Sequence, residues 1–206
     1  MTAPAPTLIE AARRLADEVL APGAESADRE GVSPATIAEV KRSGVLGVGG
    51  PAAYGGAQVA DAVAREVAEI LAGACCSTAD RPKNTNPNPA VFGVAGAALE
   101  LLEAAGDAEA KETAQVLGER LREVRREAYA LVDEVPAGER LTDRLAVKTR
   151  AYDVLRAATT AAIVAGGGRA FGLGSPAQRL AREGLFLVVQ GQTADVRSAH
   201  LRALRG

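Results

Sequence analysis

The sequence predicts an all-α protein, a helical bundle of about eight helices. Three observations predict it. Aromatic residues are only 3% of the 206 and there is no Trp, so the core is built from small aliphatic side chains. Such side chains suit closely approaching helices better than strands, which favour aromatic and β-branched residues. Apolar residues recur at three- and four-residue spacing through most of the chain, and no stretch alternates convincingly.

The first helix is expected from Thr7 to about Leu20, with Leu8, Ala12, Leu15 and Val19 on one stripe and Pro22-Gly23 closing it. Ser33-Pro34 opens the second helix: Ser caps the N-terminus, and Pro suits a first-turn position whose N–H has no helical partner. Gly44 ends this helix as a left-handed C-cap. The loop GVLGVGGPAAYGG then spans Gly44 to Gly56, and a third helix is expected from about Gln58 to Ala74, with Val59, Val63, Val67 and Ile70 on one face.

Asp80 to Pro89, DRPKNTNPNP, holds three prolines and three asparagines in ten residues. It can neither continue a helix nor pair well as a strand. It divides the chain into a helical region 1–80, a linker 81–89 and a helical bundle 90–206.

Ala90 to Ala105 is apolar nearly all round and is expected to be buried. Asp107 opens a long helix to about Asp133. Its Ala114, Leu117, Leu121, Val124, Ala128 and Leu131 form a narrow seam for a partner helix. A helix from near Glu139 to about Ala165 ends in the uncharged AATTAAIVA, which reads as the central buried helix. GGGRAFGLG breaks it. Ser175-Pro176-Ala177-Gln178 reads as a capping box opening a helix towards Val189, and the QGQT turn leads to a last helix capped by Thr193.

The net charge is −2 with both signs interspersed, and no basic stripe suits phosphate binding, so nucleic acid is excluded as a partner. No apolar run reaches the roughly 20 residues of a membrane span, and the N-terminus lacks a basic-then-apolar leader. The expected location is the cytoplasm. Cys75 and Cys76 are adjacent, without metal-ligand spacing, and read as two small buried residues at a helix end. The single histidine, His200, is expected at the surface among arginines. One histidine without a second ligand fits neither a zinc enzyme nor a His-based triad.

Several landmarks fall in a familiar order. LADEVLAPGAESADREG is followed by SGVLGVGGPAAYGG and then ACCSTAD. Pro22, Ala24, Asp28, Arg29, Gly31, Gly44, Gly47, Pro51, Tyr54, Gly55 and Gly56 match the N-terminal helical domain of the acyl-CoA dehydrogenase family. AGGGRAFGLGSPAQRLAREGLFLVVQGQTADVR resembles the end of that family's C-terminal helical domain. There an Arg-Asp pair precedes the catalytic glutamate of many members, in a Glu-Gly-Thr turn. The pair here is Arg182-Glu183, and eight residues past Glu183 stands Gly191, with Thr193 matching the Thr.

The resemblance implies FAD, an acyl-CoA ligand and assembly into dimers or tetramers. It places Gly166, Gly167, Gly168 and Thr193 beside a cofactor. The chain departs from the family where the chemistry lies. The β-domain that carries one wall of the flavin site is replaced by the linker. The Arg-x-x-Phe-Gly segment, and the Gln before the glycine loop, have no counterpart. Acyl thioester dehydrogenation needs a carboxylate against the α-carbon and a flavin on the opposite side. Gly191 cannot take a proton, and Gln190 and Gln192 are amides. The helix from Pro89 has no carboxylate until Glu100. Glu183 reads as a structural acid, and Asp195 as a first-turn carboxylate favoured by the helix dipole.

No catalytic residue and no metal ligand is therefore assigned. The departures favour a truncated, non-catalytic relative: an oligomeric scaffold, or a partner of a related dehydrogenase, without FAD. The seam from Ala114 to Leu131 and the uncharged stretch near Ala158 would serve the assembly. Two alternatives stay open. One is an FAD-dependent dehydrogenase acting on CH–CH groups. The other is an acyl-chain or acyl-thioester binding module.

Overall fold

The structure is a computed structural model, and it describes residues 5–50, 56–76, 85–136, 138–190 and 192–205. Pro51, Tyr54 and Gly55 of the glycine-rich loop, the linker up to Asn84, and Gly191 lie outside the described residues. The described residues are helical with no strand, as the sequence predicts. The chain divides into two compact units, Met1–Asp80 and Arg81–Gly206.

The first unit begins with α1 (Ala5–Leu15), a π-helical turn (Ala16–Leu20) and α2 (Ala21–Glu30). Pro22-Gly23 does not close the first helix, contrary to the sequence expectation. Proline removes the N–H that would reach the Glu18 carbonyl. The widened turn absorbs that loss: the Ala21 N–H reaches back five residues to the Ala16 carbonyl, which leaves Pro22 in the first turn of α2. Gly31, at φ 86°, ends the run. In α3 (Pro34–Ser43) the Ser33 hydroxyl accepts from the Thr36 N–H at 3.1 Å, and Gly44 closes the helix at φ 79°.

A short 3₁₀ turn, Val45–Gly47, follows. The Ala57 N–H then donates to the Gly47 carbonyl at 2.8 Å. A Cβ on Gly56 would lie 1.9 Å from the Gly50 carbonyl oxygen, so only glycine fits this crossing. The next helix, α4 (Asp61–Ala74), starts later than Gln58, because Gln58 at φ 46° and extended Ala60 leave the helical region. The core of this unit joins Leu8, Ala12, Leu15 and Leu20 to Val40, Val67, Leu71 and Cys75. Both cysteines are buried where α4 ends, as expected.

The second unit consists of α5 (Pro89–Ala104), α6 (Ala108–Glu134), α7 (Leu141–Gly166), α8 (Pro176–Val189) and α9 (Ala194–Ala203). Central α7 packs against all four others. Asn88 and Asp107 cap α5 and α6, accepting from the Ala90 and Ala110 N–H groups at 3.0 and 2.7 Å.

The α6 seam, Ala114 to Leu131, is buried throughout, but against α5 and α7 of its own unit. It is spent mainly inside the bundle. Helices α6 and α7 run antiparallel: Arg144 bonds the Val135 carbonyl near their junction, and Arg150 pairs with Glu127 further along. The uncharged end of α7 is buried on one face only. Ala158, Thr159 and Ala162 face the core while Val164 is 73% exposed.

Ser175 sits at the N-cap of α8, but no capping box forms. The Ser175 N–H, which Gln178 would have to engage, already donates to the Gly172 carbonyl at 2.9 Å. The Gln178 Oε1 is left buried without a partner, and the Ser175 hydroxyl caps nothing.

Candidate functional site

The glycine run is a helix stop. Gly166 is the last residue of α7, and a Cβ there would lie 2.8 Å from the Ala170 Cβ. The tight 3₁₀ turn Gly167–Phe171 thus folds back onto the helix end. Gly167 adopts φ 56°, ψ −147°, a region closed to other residues. Gly168 is exposed, with open space around it. The run lies at the carboxyl end of α7, where the helix dipole is negative. Thr193 does not join them in the groove that Gly166 lines. Its hydroxyl accepts from the Val196 N–H at 3.3 Å and caps α9.

Gln192 of the QGQT stretch is tied inward. Gln192 Nε2 donates to the Val188 carbonyl and lies 3.1 Å from His200 Nδ1. In this orientation of the amide, Nδ1 accepts and the imidazole is neutral, with its hydrogen on Nε2. His200 is only 8% exposed, which corrects the expected surface position. Val196 and His200 lie four residues apart and form the buried face of α9. The ring of His200 meets Tyr152 of α7 edge-on, with centroids 4.8 Å apart.

Beneath the pair lies Lys148, 4% exposed, its Nζ 6.0 Å from the Tyr152 ring centroid. Burial sets the electrostatics here. It pushes the Lys148 ammonium down to about 8 and the Tyr152 phenol up to about 12. The His200 imidazole is lowered chiefly by burial and further by the charges of Lys148 and Arg156, with Asp153 opposing. The His200 Nε2 and Gln192 Oε1 are buried without partners. The cluster therefore holds three ionisable groups away from their solution behaviour, across the α7–α9 contact.

Sequence reasoning missed this cluster, although a signal existed. Arg144, Lys148, Tyr152 and Thr159 fall on the same three- and four-residue stripe as Val147, Ala151, Leu155 and Ala162. Polar residues on a buried stripe call for partners. Arg144 has them: its guanidinium donates to the carbonyls of Val135, Pro136 and Glu139, and to Asn86 Oδ1 at 2.7 Å. It fastens the end of α6 to the segment entering α5.

Glu183, 5% exposed, accepts from Arg179 Nη1 at 2.9 Å through both oxygens. This is the ion-pair role expected of it. Next to it, a Cβ on Gly184 would lie 3.4 Å from Thr159 Cγ2, so α8 packs tightly on α7. Asp195 lies exposed in the first turn of α9. Among the described residues no group of three or more His, Cys, Asp or Glu could hold a metal ion. Among the same residues no helix is long and apolar enough to cross a membrane.

No curated protein matches the chain. The family model of the acyl-CoA dehydrogenase N-terminal domain matches residues 5–86. That stretch carries the α1–α4 fold, the glycine crossing at Gly56 and the segment that bonds Arg144. Over residues 5–86, the chain is similar to the N-terminal domain of the acyl-CoA dehydrogenase family.

Proposed function

We propose that the chain is a non-catalytic helical body of the acyl-CoA dehydrogenase type, acting as an oligomeric scaffold or as a partner subunit of a related dehydrogenase. The observation that carries this reading is how Gln192 and Thr193 are engaged. Gln192 is engaged with Val188 and His200, and Thr193 with the N-terminus of α9. The nearby buried carboxylate, Glu183, is locked to Arg179. A general base must reach a substrate proton within about 3 Å in a plausible pose. A buried carboxylate whose two oxygens both accept from one guanidinium nitrogen a turn away on its own helix is a support for the bundle.

The test is a visible absorption spectrum of the purified protein, taken before and after incubation with excess FAD and desalting. It is paired with an assay of dye reduction driven by a series of acyl thioesters. The expected result is no retained flavin band and no thioester-dependent reduction. A retained band with turnover would overturn the proposal and establish the dehydrogenase alternative.

A further inference from the structure

The outer faces of α6 and α7 form a groove of about 1020 Å³ within the second unit. Its walls are apolar: Ala110, Val116 and Leu117 on α6, and Ala157, Ala161 and Val164 on α7. Val116 and Val164 are 51% and 73% exposed. The α7 wall runs from Asp153 to Ala165, about 18 Å of helix at 1.5 Å per residue. That length takes roughly three turns of another helix. Small residues along the α7 wall leave room for such a helix to approach closely.

The charges on the rim are arranged unevenly. At the Val116 end, Asp153 and Arg156 form an ion pair and offset each other. At the other end stand Asp107, Glu109 and Glu112, with no cation among the groove residues there. The N-terminal dipole of α6 offsets only about half a charge of that surplus. An isologous contact with the grooves parallel would bring these carboxylates towards one another, and an antiparallel one would set them against an arginine, Arg156, that Asp153 already engages. The phosphates of an acyl-CoA would meet the same repulsion.

We infer that this groove docks an amphipathic helix of a partner protein. That helix presents small and aliphatic residues on one face and a cluster of Lys or Arg at one end. Cations at the carboxyl end of the docked helix would also suit its own dipole. The inference rests on the partner-subunit reading above and names the partner's chemistry.

The probe is a fluorescein-labelled 14-residue peptide, with Leu and Ala on one helical face and three Lys in its last turn. A control peptide replaces the three Lys by Glu. Fluorescence anisotropy with the full chain is expected to show the Lys peptide binding and the Glu peptide binding at least roughly tenfold more weakly. The double variant Glu109→Lys/Glu112→Lys, changed at two exposed positions, is expected to reverse that preference. Ala161→Trp, which fills the groove, is expected to abolish binding of both.

Equal binding of the two peptides, or none, would overturn the inference. Conversion of an oligomer to monomer by Ala161→Trp would overturn it in favour of a second copy. Displacement of the Lys peptide by palmitoyl-CoA would overturn it in favour of a thioester. None of these outcomes touches the scaffold reading, which the flavin and turnover assays test separately.

Discussion

Replacing Lys148 by Met tests whether the buried ammonium strains the bundle. The side chain is 4% exposed, and burial lowers its pKa from 10.5 to about 8. At about 1.4 kcal/mol per pH unit of difference, keeping the charge inside costs on the order of 3 kcal/mol at neutral pH. The sign follows from proton counts. Between about 8 and 10.5 the folded protein has released this proton and the unfolded chain still holds it. Stability therefore rises with pH across that window, and below about 8 the full penalty is present. Urea unfolding followed by circular dichroism at pH 7 and pH 9.5 reads it. The wild type should gain relative to Lys148→Met between the two pH values, by about 2 kcal/mol. The variant should be the more stable of the two at pH 7, since Met keeps the packing volume without the charge. Taking the difference between the two proteins removes the titrations common to both. A wild-type-minus-variant difference that stays flat from pH 7 to 9.5 would refute the reasoning. So would a variant that is less stable than the wild type at pH 7, because the lysine's own contacts would then outweigh the cost of burying its charge.

Three more expectations follow from the same structure. Arg144→Ala strands the carbonyls of Val135, Pro136 and Glu139 and should lower stability by about 3 kcal/mol in urea unfolding; Lys at this position should not rescue it, because one ammonium cannot span the fork. Gly167→Ala should cost about 1–3 kcal/mol from its backbone conformation alone, whereas Gly168→Ala, with open space around it, should be nearly neutral in melting temperature. His200 has a folded pKa below its usual 6.5, so stability should fall as pH drops through about 6.5 towards that lowered value; His200→Phe keeps a ring against Tyr152, and an acid limb unchanged in this variant would show that another group controls it.

What the sequence determined by itself was local. The Ser33, Asp107 and Thr193 caps, the Gly44 stop and the α6 seam each depend on groups within a turn or two. One-dimensional spacing carries that information, because helical hydrogen bonds reach only four residues. The landmarks of the first region were legible for the same reason, and residues 5–86 match the family model they suggested. Tertiary structure decided the rest. Whether Pro22 ends a helix depended on a π turn that rerouted a single N–H. Whether Ser175 forms a capping box depended on Gly172 claiming its N–H first. The α6 seam could have served another subunit until α5 and α7 were seen to cover it. His200 looked like a surface residue because its arginine neighbours are exposed, yet the face it shares with Val196 lies against Tyr152. Spacing tells which residues share a face. What that face meets depends on helices far apart in sequence, and their packing set the burial, the ionisation and the chemistry of this bundle.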